Sequence, residues 1–337
     1  MPPLTSLELE QTDQPAEAFP SNEASTPPVF RNPSNLRILH FVRTPLYPAV
    51  FSIASLVELK LVDYTSPFHF GEFIEFLHSN QSLEVVILDL QFSEGSKRIS
   101  PERKASLPQL QRLMFTCGSA SDARVLLSWV SLRRGSHIAI RGSQSNSSAD
   151  LASFLPSPPT PIRDLLTPIT TIKYRYDSFH ALGEGQFSFQ PSKHTPTLYE
   201  GLGLFVTRTI RELHITYALD SGGIYLTWPM ERLPALEALV LSETHLPSGS
   251  LSALAKEGPL CPSLKTIAFF DCEVNEDVIK ELEEVLAKRR DSTAARLYRV
   301  VIVNPTHALP NPQLIRRLKK FVLRVDVGVG DELPALL

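Results

Sequence analysis

The sequence predicts an α/β chain folded as a solenoid, a curved stack of strand–helix and strand–loop units with irregular repeats. Two patterns carry that prediction: a short apolar phrase recurring along most of the chain, and amphipathic helical segments between several of its copies. The composition permits it. Of 337 residues, 43% are hydrophobic and 20% charged, which allows a sizeable core and excludes wholesale disorder.

The phrase is apolar–x–x–apolar–x–apolar. It stands at Leu36, Leu39 and Phe41; at Leu56, Leu59 and Leu61; at Leu83, Val86 and Leu88; and at Leu110, Leu113 and Phe115. It returns at Ile169, Ile172 and Tyr174; Ile210, Leu213 and Ile215; Leu236, Leu239 and Leu241; Leu264, Ile267 and Phe269; and Leu297, Val300 and Ile302. Leu4, Leu7 and Leu9 form a further copy near the start. The last two apolar residues flank one variable position, so they leave a strand on the same side. One unit cannot bury such a stripe alone, whereas stacked neighbours share a continuous core. Regular copies recur every 20 to 28 residues, the spacing of leucine-rich repeats. Cys272, just past Phe269, falls where such repeats carry Asn or Cys at the turn. Alternating strands and helices also fit a doubly wound sheet. Buried strands of that kind are commonly longer Val/Ile runs, so the phrase favours the solenoid.

Three helices stand out. Phe70, Phe73, Ile74 and Leu77 share one helical face, as do Val125, Leu126, Trp129 and Val130, with Ser121 or Asp122 placed to cap the latter. A third helix is expected over 275–290, apolar at Val278, Ile279, Leu282, Val285 and Leu286, with acids early and bases late to match the helix dipole. The domain organisation follows. Residues 1–34 hold a strand remnant and a Pro-rich, partly disordered segment, 35–327 the repeats with a Ser/Pro-rich insertion at 141–168, and 328–337 a tail. Within the repeats, 177–209 is irregular, with Phe187 and Phe189 suggesting an extra strand. Phe321, Leu323, Val325 and Val327 alternate as a last strand after a helical Leu314–Leu318.

Chemistry-bearing motifs read as ordinary structure. Asp220-Ser221-Gly222-Gly223 looks like the string around a trypsin-type serine, but a turn is the simpler reading. Gly183-Glu184-Gly185 lacks the third glycine of a dinucleotide loop and also reads as a turn. Cys117, Cys261 and Cys272 have no metal-ligand spacing, so Cys117 and Cys272 are expected as small buried residues at turns. Asn146-Ser147-Ser148 fits a glycosylation sequon, but Met1–Glu10 has no signal-peptide character, so an unused sequon in the cytoplasm or nucleus is expected. Lys288, Arg289 and Arg290 with Arg316, Arg317, Lys319 and Lys320 read as a solvated basic helix face. A net charge of -3 gives no footprint for nucleic acid, and no apolar run is long enough for a membrane span. No cofactor or metal is expected.

The repeats as a set, with SLVELKLVDYTS, SLEVVILDLQF and SLKTIAFFDCEV as the fullest, resemble the leucine-rich-repeat region of fungal F-box-type proteins over about 36–327. The resemblance implies the substrate-recruiting part of a ubiquitin-ligase subunit. Met1–Ser34 holds no Leu/Pro-rich helical F-box, so a Skp-type adaptor is expected as a partner only if an F-box lies upstream.

The expected function is protein–protein interaction through the concave strand face. His40, Glu58, Lys60, Asp89, Arg112, Met114, Lys173, Arg175, His214 and Phe270 occupy the outward positions and are the candidate partner-binding residues. Ala238, Val240, Ser242, Thr266 and Ala268 continue that ladder. A stand-alone scaffold with no ubiquitin role is the alternative. An enzyme with a pocket formed by inserted segments around 139–209 is a remote one, since no catalytic constellation accompanies it.

Overall fold

The computed structural model describes residues 5–10, 35–43, 53–92, 103–142, 151–175, 177–190, 203–205, 207–216, 227–243, 246, 249–255, 260–291, 296–304 and 311–329. The described chain is α/β, with mostly parallel strands and few helices. It forms two compact units, Met1–Leu166 with Gly185–His194, and Thr167–Glu184 with Thr195–Leu337. The Pro-rich stretch after Glu10 and the Asp220–Gly223 and Asn146–Ser148 motifs lie outside the described residues.

In the first unit β1 (Ser6–Glu10), β2 (Ile38–Val42), β3 (Glu58–Phe68), β4 (Val85–Phe92), β6 (Arg112–Cys117), β8 (His137–Gly142) and β11 (Gln186–Gln190) lie side by side, all parallel. A small two-stranded sheet pairs β5 (Ala105–Leu107) with β7 (Val130–Leu132). The register puts like residues opposite like. Leu39, Leu59, Val86, Leu113, Ile138 and Phe187 form one row. Phe41, Leu61, Leu88, Phe115, Ile140 and Phe189 form the next, and every member of both rows is buried. Each such side chain contributes about 1.5–3 kcal/mol by leaving water.

The strands begin alike. The amides of Arg37 and Ile38 converge on Thr5 O, those of Val57 and Glu58 on Arg37 O, those of Glu84 and Val85 on Val57 O, and those of Gln111 and Arg112 on Glu84 O. Helix α1 (Phe70–Ser79) buries Phe70, Phe73, Ile74 and Leu77, as its spacing predicts. Helix α2 (Ala120–Trp129) is capped by Ser119, not by Ser121 or Asp122. The Ser119 side chain accepts from the Asp122 amide, and the Asp122 carboxylate accepts from the Ser119 amide. Three cap-type residues within four positions hid the boundary, which the extended backbone of Ser119 decides.

Residues 151–166, within the expected insertion, pack into this unit. Leu151, Phe154, Ile162 and Leu166, from α3 (Leu151–Phe154) and α4 (Thr160–Leu166), are buried, and the Phe154 ring sits edge-on to Phe189 at 4.8 Å. Gly183–Gly185 is indeed a bend. A Cβ on Gly185 would stand 2.7 Å from Ser136 O, so the backbone passes where only glycine fits.

In the second unit β9 (Thr171–Arg175) pairs antiparallel with β10 (Ser178–Leu182). From β9 the row continues in parallel through β12 (Glu212–Thr216), β13 (Ala238–Ser242), β14 (Thr266–Phe270), β15 (Arg299–Val303) and β16 (Arg324–Gly328). Ile172, Leu213, Leu239, Ile267 and Val300 line up in one buried row. The strand-start bonds recur here, with the Arg211 and Glu212 amides on Thr170 O and the Glu237 and Ala238 amides on Arg211 O. Besides α5 (Thr227–Arg232), the unit holds α6 (Glu276–Asp291), which buries Val278, Ile279, Leu282, Val285 and Leu286. After α7 (Pro312–Leu318), Phe321 and Val322 belong to a turn bonded to Leu318 O, so the last strand starts only at Arg324 and Leu323 is left 86% exposed.

Arg43, Glu243 and Asp271 each follow a strand directly with φ of 56°, 48° and 50°, and Asp63 adopts 54° at the irregularity inside β3. This left-handed backbone costs a non-glycine residue about 1 kcal/mol. It aims the Arg43, Glu243 and Asp271 amides at Val62 O, Phe270 O and Val303 O, within 2.7–2.9 Å.

Candidate functional site

Since the apolar rows point to the core, the alternate positions define the opposite face of each strand row. In the first unit this face is open. Its central row is Glu8, His40, Lys60, Ile87, Met114, Ala139 and Ser188 in register, every one half-buried or exposed. The flanking rows bring Glu58, Val85, Arg112 and His137 on one side, and Asp89, Thr116 and Arg141 on the other. Six of the sequence-predicted residues therefore share one surface: His40, Glu58, Lys60, Asp89, Arg112 and Met114.

His40 Nε2 lies 2.8 Å from Glu58 Oε1, and its Nδ1 3.9 Å from Glu8 Oε1, so the ring bridges three adjacent strands. Burial raises the Asp89 carboxyl above its ordinary range, and the nearby Asp63 charge adds to the effect. Burial lowers the His137 ring, and Arg112 lowers it further. Neither Lys60, Arg112 nor Arg141 has an ion pair among the described residues.

The second unit departs from the expected open ladder. Ala238, Val240, Ser242, Thr266 and Ala268 are buried, as are Val301 and Val303. Val240, Ala268, Val301 and Val303 form an apolar cluster, and Phe270 packs against it. Alternation alone puts Ala238, Val240, Ser242, Thr266 and Ala268 in solvent, but their composition is that of a core, and both faces of β13–β15 are dry. Lys173 and Arg175 are exposed, with Arg175 Nε 3.5 Å from Asp177 Oδ1. His214 is half-buried. Burial holds its ring below the usual histidine range, against the opposing pull of Glu212, whose carboxylate lies 3.3 Å from His214 Nε2.

At the strand starts of the second unit lies an open recess of about 510 Å³, lined by Thr170, Thr171, Arg208, Arg211, Glu212 and Glu237 among others. One of its two acids, Glu237, is already paired. Lys265 bonds Glu237 at 2.7 Å and holds that carboxyl below its usual range, and Arg211 approaches it at 3.6 Å. Among the described residues no group of three or more His, Cys, Asp or Glu is arranged to hold a metal ion, and no helix is long and apolar enough to cross a membrane.

Cys117, Cys261 and Cys272 are all free and buried. Cys117 Sγ donates to Arg141 O at 3.4 Å and Cys272 Sγ to Leu241 O at 3.2 Å, each across to an adjacent strand. The basic helix face holds an exception. Arg289 is only 3% exposed, and its guanidinium donates to Leu260 O and Cys261 O at 3.0 and 2.7 Å. Arg317 pairs with Glu283, and Arg290 stands over the Phe321 ring at 5.9 Å. Asp326, unremarked in the sequence, joins Arg299 and Arg324 at 2.7 Å each, and alternation along β16 was the signal that placed it opposite the core.

No family model matches the chain, and no match was found among curated proteins.

Proposed function

We propose that the chain is a protein–protein interaction module of leucine-rich-repeat type whose ligand surface is the open face of the first unit. The observation that carries this reading is the aligned row His40–Lys60–Ile87–Met114, flanked by Glu58, Asp89 and Arg112, half-buried to exposed yet held on in-register strands. A rigid sheet presenting mixed charged, apolar and thioether groups offers both anchors and a polar rim. The finer role, substrate recognition within an F-box-type ubiquitin-ligase subunit, rests on the resemblance of the repeats. It needs an F-box in the complete protein to hold a Skp-type adaptor.

The test is quantitative capture from the source cell's extract by the immobilised chain, with Lys60→Glu and Arg112→Glu introduced together. The expected result is at least one specific protein whose capture falls severalfold while thermal unfolding is unchanged. Unaltered capture of every specific protein overturns the assignment of this face.

A further inference from the structure

We propose that this face is charge-polarised to take an extended peptide segment with an apolar centre, a basic end over β1–β3 and an acidic end over β6–β8. The inference rests on the interaction reading above and specifies the partner's chemistry. On β1–β3 the face-pointing charges are Glu8, Glu10 and Glu58, against Lys60, with the His40 ring between Glu8 and Glu58. On β6 and β8 they are Arg112 and Arg141, and no acid stands beside them in the register. Between the two ends β4 presents Val85 and Ile87 with Asp89 at one side, and the half-buried apolar row runs on through Met114 and Ala139.

The dimensions suit a single chain. The β1-to-β8 path crosses five inter-strand steps. At roughly 4.8 Å each these span about 24 Å, which an extended peptide covers in about seven residues. Complementary ends fix the direction of such a segment, because reversal sets like charges together at both ends. The Asp89 carboxyl, raised by burial and by Asp63, adds an acceptor that a cationic side chain would favour in its charged form.

The probes are three fluorescent heptapeptides with a Val-Leu-Val centre: one with two lysines at one end and two glutamates at the other, one with lysines at both ends, one with glutamates at both. The full chain is expected to bind the mixed peptide roughly threefold to tenfold more tightly than either counterpart, the scale of a few exposed ion pairs. Arg112→Glu with Arg141→Glu should reverse the order of the mixed and all-lysine peptides, and both side chains are exposed, so folding is spared. Equal binding of all three peptides, no binding of any, or indifference to the charge reversal overturns the proposal. Met114→Asp separates the two levels, with Ala139→Asp as a second variant should the first unfold. If these abolish binding while charge reversal does nothing, polarity fails and the face stands. If binding survives them, the face itself is wrong.

Discussion

Asn80 Oδ1 accepts the amide of Leu56 at 3.0 Å, joining the end of α1 to the approach of β3 across 24 residues of chain. The same fully buried carboxamide donates to Ile53 O at 2.8 Å and Phe76 O at 2.9 Å. One side chain thus satisfies backbone groups in three places.

Asn80→Ala leaves those groups buried and unpaired, at about 1–3 kcal/mol for each one water fails to reach. Urea unfolding should show a loss of about 2–4 kcal/mol. A loss below about 0.5 kcal/mol, the level of a neutral surface change, would contradict the bonding described.

Two glycines should respond oppositely to alanine. At Gly185 the new methyl meets Ser136 O at 2.7 Å, and the displacement should cost about 1–3 kcal/mol. At Gly71, in α1, nothing lies within 4 Å, so alanine should be neutral or stabilising by up to about 1 kcal/mol. Paired thermal melts read both signs together.

The thiols of Cys117 and Cys261 are pushed up to about 12, in both cases chiefly by burial. At pH 8 neither should react with a thiol reagent until the chain unfolds. Because the folded pKa lies above the unfolded one, their contribution to stability is complete below the ordinary thiol pKa and declines as pH rises towards about 12. Relative to Cys117→Ala, the native chain should therefore lose stability on alkaline titration. A constant difference from pH 8 to 11 would contradict the shift.

Asp89 and Asp326 should titrate with opposite signs. Asp89 is raised, so its ionised form is disfavoured by the fold; Asp89→Asn should increase Tm at pH 7, and the gain should vanish in acid. Burial raises the Asp326 carboxyl, but hydrogen bonds from Arg324 and Arg299 outweigh this and hold it low. Asp326→Asn should lower Tm at pH 7, and that deficit should shrink as pH falls through the depressed folded value.

The phrase itself was legible because it records one physical fact, that alternate strand residues share a side; Leu39, Leu59, Val86 and Leu113 follow it into a single row. Alternation says nothing about what covers the other side. For that reason Val240 and Ala268 were expected in solvent, although their own apolarity marked a second dry face. Arg289 was hidden for a related reason: charge runs read as solvated, but carbonyls at Leu260 and Cys261 lie within reach of its guanidinium. The cap at Ser119 depended on backbone angles that neighbouring residues of the same type cannot distinguish.

The open face of the first unit is tested most directly by a photo-crosslinking amino acid placed at Met114 and, separately, at Glu75, which is exposed on α1. Irradiation in the source cell should yield a discrete protein adduct from Met114, suppressed by Lys60→Glu with Arg112→Glu, and none from Glu75. Matching adducts from both positions, or an adduct at Met114 indifferent to those charges, would contradict the account.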